Sequence, residues 1–129
     1  MNQSETINKI IELAQAEESI IVVWLYGSRA KGTASETSDF DIAIAFDEKS
    51  INKVKHQYYC DQLSSDWSSE LGVDISVIDI NQVPTPLAYN VINDGVVIIS
   101  KNDFRQHTEQ QRVWALWESY RYEYERYRK

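Results

Sequence analysis

The chain has 129 residues, 43% of them hydrophobic, and a formal net charge of -7 from 20 acidic and 13 basic side chains. That length and apolar fraction suit one core and one domain. The acidic excess disfavours a polynucleotide substrate, because nucleic-acid phosphates are held by basic groups that displace counterions. Cys60 is the single cysteine, which rules out an intrachain disulfide and a cysteine-based zinc cluster and fits a reducing cytoplasm. No stretch reads as a membrane span or a signal peptide, so no membrane association is expected.

Ile7, Ile10, Ile11, Leu13 and Ala14 recur at helical spacing, which predicts an amphipathic helix over residues 4–18 with Ser4 as its cap. The run IIVVWLY, Ile20–Tyr26, is short, β-branched and aromatic, as in a strand buried on both faces. Gly27 stops it. The small polar segment 27–38 has room for one helical turn around Arg29, Ala30 and Lys31. In the strand Phe40–Phe46 the side chains alternate: Phe40, Ile42, Ile44 and Phe46 form a core face, Asp41, Ala43 and Ala45 a floor.

Residues 51–71 read as a helix with Val54, Tyr58, Leu63 and Trp67 turned inward, ended by Gly72 as a left-handed cap. A third strand over 74–80 follows, then a cap signal at Thr85 and Pro86 before a short helix over 87–93 that stops near Gly95. Val96–Ser100 reads as a fourth strand. Asn102 is placed to cap a long last helix carrying Phe104, Trp114, Trp117, Tyr120, Tyr124 and Tyr127. This order describes an α/β (α+β) domain over residues 1–129, with a small mixed sheet covered mainly on one face and a long C-terminal helix.

The chemistry concentrates around the second strand. Gly27 and Ser28 end the first strand, and ten residues later Asp39, Phe40 and Asp41 open the next. Two carboxylates at i and i+2 on a strand share a face and can share a hard divalent ion that prefers oxygen ligands. Like charges side by side are unfavourable unless a cation compensates them. Asp74 heads the third strand, so pairing of the two strands would bring a third carboxylate to the same edge. Gly27 lets backbone approach a ligand closely, and amides at a helix start can face phosphate oxygens. Ser28 adds a hydroxyl, while Arg29 and Lys31 could neutralise a triphosphate or simply face solvent.

The segment GSRAKGTASETSDFD resembles the minimal nucleotidyltransferases of the DNA polymerase β superfamily, whose signature is Gly-Ser, about ten residues, then Asp-x-Asp. Asp74 in GVDISVID matches that family's third acidic residue, so the resemblance spans nearly the whole chain. With average residue usage the paired motif at one fixed spacing arises by chance on the order of once in a thousand such chains. The resemblance implies a polymerase β-like fold and a two-metal displacement: Asp39, Asp41 and Asp74 hold Mg2+, two ions in all, and Gly27, Ser28, Arg29 and Lys31 receive ATP. It further implies the antitoxin of a toxin–antitoxin pair, which transfers AMP to a tyrosine hydroxyl of a helical HEPN ribonuclease toxin and forms a hetero-oligomer with it. An aminoglycoside-type small-molecule nucleotidyltransferase and an antitoxin acting by binding alone are the alternatives.

His56 and His107 have no partners at metal-ligand spacing and are expected at the surface or in packing. Cys60 is expected as a small buried hydrophobe rather than a nucleophile. The aromatic last helix admits core packing, docking of a partner, or self-modification at Tyr120, Tyr122, Tyr124 or Tyr127. Four tyrosines interleaved with Arg121, Arg126 and Arg128 cannot all face one small core.

Overall fold

The computed structural model describes residues 1–49 and 56–127. The first helix, α1, is Gln3–Gln15, capped by Asn2, whose Oδ1 accepts from the Glu5 amide at 2.9 Å. The expected Ser4 cap therefore falls inside the first turn. Asparagine two residues earlier performs the same chemistry, and Thr6, Ile10 and Ala14 form the buried stripe at four-residue spacing.

Strand β1, Ile20–Tyr26, leads through the single turn α2, Ser28–Lys31, to β2, Phe40–Phe46. Helix α3 is described over His56–Leu71, so its predicted start and Val54 lie outside the described residues. Leu63 and Trp67 are buried as expected, with Cys60 beside them. Tyr58 is 72% exposed and corrects the expectation of an inner position: two residues from Cys60 is about 200° around a helix. Its neighbour Tyr59 packs edge-on against Phe46 instead, with ring centroids 5.3 Å apart. Gly72 adopts φ +70° and its amide donates to Ser68 O at 2.9 Å, closing the helix by the expected left-handed cap.

Strand β3, Ile75–Asp79, is shorter than predicted, with Asp74 just ahead of it. Helix α4 is Thr85–Asp94, with Pro84 at the cap position and Thr85 already helical. Strand β4, Val96–Ser100, precedes α5, Asp103–Tyr127, whose first turn is capped by Asn102 Oδ1, accepting from the Arg105 amide at 3.0 Å. No helix of the described residues is long and apolar enough to cross a membrane.

The sheet order is β3-β2-β1-β4. β1 runs antiparallel to β2 and β4, and β2 runs parallel to β3, so the sheet is mixed as expected. Its helices divide between the faces, which corrects the expectation of cover mainly on one. Phe40, Ile42 and Ile44 of β2 meet Ile10 of α1 and Leu63 and Trp67 of α3 on one face. Ala43 and Ala45 meet Ala88 and Val91 of α4 and Val113 of α5 on the other. The alanine floor is small because a helix lies directly on it; both alanines are fully buried.

At the far end of β2, Glu109 of α5 is 4% exposed. Its carboxylate accepts from Arg105 Nε at 3.0 Å, Arg112 Nε at 2.9 Å and Asn81 Nδ2 at 3.0 Å. Arg105 also donates to Phe46 O, and Arg112 to Ile80 O, at 3.0 and 3.2 Å. The network ties α5 to the ends of β2 and β3. Beyond it the helix buries only Val113 and half-buries Trp117, which stacks on Tyr89 at 4.4 Å. Phe104, Trp114, Tyr120, Tyr122, Tyr124 and Tyr127 are exposed. Core packing accounts for little of the aromatic helix.

Candidate active site

The parallel register sets Phe40 opposite Ile75 and Asp41 opposite Ser76, and the Phe40 amide donates to Asp74 O at 2.9 Å. Asp39 and Asp74 therefore sit side by side at the leading edge of β2 and β3. Across β1 the antiparallel register pairs Tyr26 with Asp41. Gly27 follows with φ +72° and ψ -156°, a conformation that favours glycine. A Cβ at Gly27 would overlap Asp41 Oδ2 and lie 3.2 Å from Asp41 Cγ. The Gly-Ser turn and the Asp-x-Asp strand thus come together because glycine leaves room for the second aspartate.

Asp41 is half-buried while Asp39 and Asp74 are exposed. Burial, and then the Asp39 charge, push the Asp41 carboxyl above its ordinary value of 3.8. Tyr26 is pushed to about 12, chiefly by burial and secondly by Asp41. Neither Asp39 nor Asp41 has an ion pair among the described residues. An oxygen-only donor set with uncompensated charge fits a divalent cation such as Mg2+. The expected trio is not closed: among the described residues no three His, Cys, Asp or Glu side chains gather into a metal-holding group. Asp74 stands next to the pair across the strand register.

The basic residues behave differently from one another. Arg29 spends its donors on the loop that follows α2, bonding Ser38 O at 2.8 and 3.2 Å and Glu36 O at 3.3 Å, and on Gln3 Oε1 of α1 at 3.2 Å. Its guanidinium also lies over the Phe40 ring, 4.2 Å from the centroid. That makes it the clamp of the loop that delivers Asp39. Lys31 is exposed and reaches Asp94 of α4 at 3.6 Å. Ser28 is half-buried at the start of α2. Sequence reasoning passed over Tyr26, although strand alternation from Asp41 and an antiparallel partner could have found it. It also passed over the Arg29 clamp, which has no sequence pattern.

Cys60 is 2% exposed, and burial foremost, with the charges of Asp79 and Asp61, pushes its thiol up to about 12; it is inert packing. His107 is exposed, and the His56 side chain lies outside the described residues.

Residues 8–104 match the family described as Polymerase beta, Nucleotidyltransferase. The chain is 28% identical over 89 residues to protein adenylyltransferase MntA of Shewanella oneidensis, a match covering 68% of this chain and 60% of that protein's length. It resembles in fold a chain of a crystal structure described as a toxin-antitoxin with AMP-PNP, with TM-score 0.76, 21% identity, and 91% and 90% of the two chains covered. A second likeness of fold is to a chain of the tri-AMPylated Shewanella oneidensis HEPN toxin in complex with MNT antitoxin, with TM-score 0.73, 19% identity, and 95% and 92% covered. The family match spans well over half of the chain and takes in both the Gly-Ser turn and the carboxylate pair, so this chain belongs to the polymerase beta nucleotidyltransferases.

Proposed function

We propose that the chain is a protein adenylyltransferase that moves AMP from ATP to a tyrosine hydroxyl of a helical HEPN ribonuclease toxin, silencing it in the cytoplasm as its antitoxin. The observation that carries the reading is the uncompensated carboxylate pair at the head of β2, held against Gly27. Such a pair is unfavourable by itself and useful only with a cation bound. The relatives' descriptions, which name protein adenylylation, a nucleotide analogue and a HEPN toxin, support the acceptor class.

In this reading the phenol oxygen forms a bond to the α-phosphorus, the bridging bond from that phosphorus to the β-phosphate breaks, and pyrophosphate leaves with the electron pair. Asp39 and Asp41, joined by Asp74, would hold the Mg2+ ions, two in number, whose chemistry is to offset the triphosphate charge and lower the acceptor's pKa. Gly27 admits the triphosphate close to the backbone, and Ser28 offers its hydroxyl to it. Lys31 supplies a mobile positive charge nearby. Arg29 acts at one remove, fixing the loop that ends in Asp39. In the same reading Asp74, exposed at the edge, accepts the phenolic proton.

Incubation with radiolabelled ATP and Mg2+, with and without the partner protein, followed by intact-mass analysis, tests this. One or more AMP units on the partner, lost in Asp39→Ala, is the expected result. A second reading, neutralisation by binding alone, draws on the exposed tyrosines of α5. It prevails if Asp39→Ala and Asp41→Ala still silence the partner fully in cells.

A further inference from the structure

Strand alternation gives Asp41 two lateral neighbours on its own face of the sheet, Tyr26 of β1 in the antiparallel register and Ser76 of β3 in the parallel one. They close its two flanks unequally. Tyr26 is half-buried, its ring packed against the core cluster that α4 and α5 cover. Ser76 is exposed, between the buried Ile75 and Val77 that turn to the other face. Ile78, next on the Asp41 face, is again packed against the core on the α4 side. Ser76 is therefore the last open position of β3 between the carboxylates and the core, and it is small where Tyr26 is bulky.

The open flank is firmly placed. β3 is an edge strand, yet the amides of Ile75 and Val77 are taken by α3, donating to Ser68 Oγ and Ser64 Oγ at 2.9 Å each. Those two serines stand one helical turn apart and pin the strand at two successive positions, which denies these amides to an added strand. What stays open on this flank is the face that carries Ser76, held in a fixed place beside Asp41. Transfer by in-line displacement needs the attacking and leaving oxygens on opposite sides of the α-phosphorus. With the triphosphate against the Gly27–Ser28 turn at the end of β1, the attacking oxygen comes from the opposite flank of Asp41. That flank is β3, where Asp74 and Ser76 are exposed.

We propose that Ser76 is the specificity-determining residue on the acceptor side: its small side chain leaves the β3 flank of Asp41 open to a flat phenol, which lies over Ser76 with its oxygen turned to the α-phosphorus. This role rests on the adenylyltransferase reading and adds to it the direction of approach and the residue that admits the acceptor. In the step, the phenol oxygen is joined to the α-phosphorus and the bond from that phosphorus to the bridging oxygen breaks. Pyrophosphate leaves with the electron pair, and the phenolic proton passes to Asp74. Ser76 takes no part in the bond changes. It acts by leaving room, so enlarging it penalises the acceptor and spares the nucleotide.

Side-chain size at position 76 is the variable to change. An exposed strand position tolerates branched and aromatic residues, so Ser76→Leu and Ser76→Trp should melt close to the parent. With ATP and Mg2+ their kcat/KM for the HEPN partner protein should fall by about tenfold and about a hundredfold. The Kd for α,β-methylene-ATP with Mg2+, whose α–β bridge cannot break, should stay within about twofold of the parent. Ser76→Cys gives a readout without turnover. Cys60 is the other thiol of that variant and is buried, so N-ethylmaleimide should label position 76 about tenfold faster or more, as intact and digested mass would show. The partner protein, added with α,β-methylene-ATP and Mg2+, should slow that labelling by about tenfold. An unchanged kcat/KM in Ser76→Trp, a nucleotide Kd that weakens in step with it, or labelling of Ser76→Cys that the partner leaves unslowed would overturn the proposal and leave the adenylyltransferase reading standing. If the unaltered chain transfers no AMP to the partner, that reading falls, and the role of Ser76 with it.

Discussion

Two carboxylate clusters stand at opposite ends of one sheet and are built in opposite ways. At the far end Glu109 is almost wholly buried, yet its pKa is lowered. Burial alone would raise it, but the Asn81 hydrogen bond, the Arg112 charge and the bonds from Arg105 and Arg112 outweigh that. At the leading edge Asp41 is less buried, yet its pKa is raised, by burial first and by the Asp39 charge second, with no ion pair among the described residues to offset either. Burial therefore does not separate a structural carboxylate from a working one; compensation does. A group whose charge the protein has already met holds the fold together, and a group whose charge is left open is available to a cation and a substrate.

Removing the open charge is the sharpest way to test the contrast. On the proposed function, Asp41→Ala should lower AMP transfer by roughly 10^3-fold or more, since a metal ion held there would supply several kcal/mol of transition-state stabilisation. In the presence of chelator the same variant should melt no lower than its parent, because it relieves repulsion with Asp39. A drop of several degrees in its Tm would mean that Asp41 serves the fold. Mg2+ with AMP-PNP should raise the parent's Tm and leave that of Asp41→Ala where it was.

Glu109→Ala should do the reverse, leaving two guanidiniums partly buried without their anion. Breaking a buried pair in this way costs about 3–5 kcal/mol. Thermal or urea unfolding would show it, and a loss within experimental scatter would demote the network to decoration. The two sites also divide the pH axis. Glu109, lowered from 4.5, contributes stability that is present above its ordinary value and lost as pH falls through its folded one. Asp41, raised from 3.8, contributes stability present below that value and lost as pH rises through its folded one. Without metal, the deficit of Glu109→Gln should shrink on acidification, and the advantage of Asp41→Asn should grow as pH rises. Melting curves from pH 3 upward, read as differences from the parent, would show parallel lines if the opposition were false.

Gly27→Ala tests whether the open site depends on its neighbour. The positive φ costs an alanine about 1 kcal/mol, and the overlap with Asp41 Oδ2 adds to it. A modest fall in Tm with a large fall in transfer is expected. Full activity would mean that Asp41 has another place to stand.

The working edge was the more legible of the two ends. Gly27, Ser28, Asp39, Asp41 and Asp74 lie at the ends of three strands, so motif spacing together with the pairing of those strands brings them to one edge. The Glu109 network was missed although Arg105, Glu109 and Arg112 stand at helical ion-pair spacing, because that spacing does not tell a buried pair from a solvated one and the partners Asn81, Phe46 O and Ile80 O lie far away in sequence. The cover on both faces was half legible. IIVVWLY is apolar on both sides, but Ala43 and Ala45 read as a bare floor when they were the seat of α4. Tyr58 was misplaced by the angular step that separates it from Cys60 and Tyr59, since large aromatic residues stand at 58 and 59 alike and composition does not say which faces inward.

Lys31 is where the contrast between met and open charge is finest. Its 3.6 Å pair with Asp94 joins two well-exposed side chains. Such a pair contributes at most about 0.5–1 kcal/mol, so the lysine is not fully committed as Arg105 and Arg112 are. Lys31→Ala should accordingly leave Tm almost unchanged and raise the KM for ATP several-fold, on the order of the 1 kcal/mol that one exposed charge-assisted contact to a triphosphate provides. The KM increase should diminish in high salt, which screens an exposed charge but not a coordinated one. If the KM stays fixed while Tm falls, the charge belongs to Asp94 and to the joint between α2 and α4, and the triphosphate is met by backbone and metal alone.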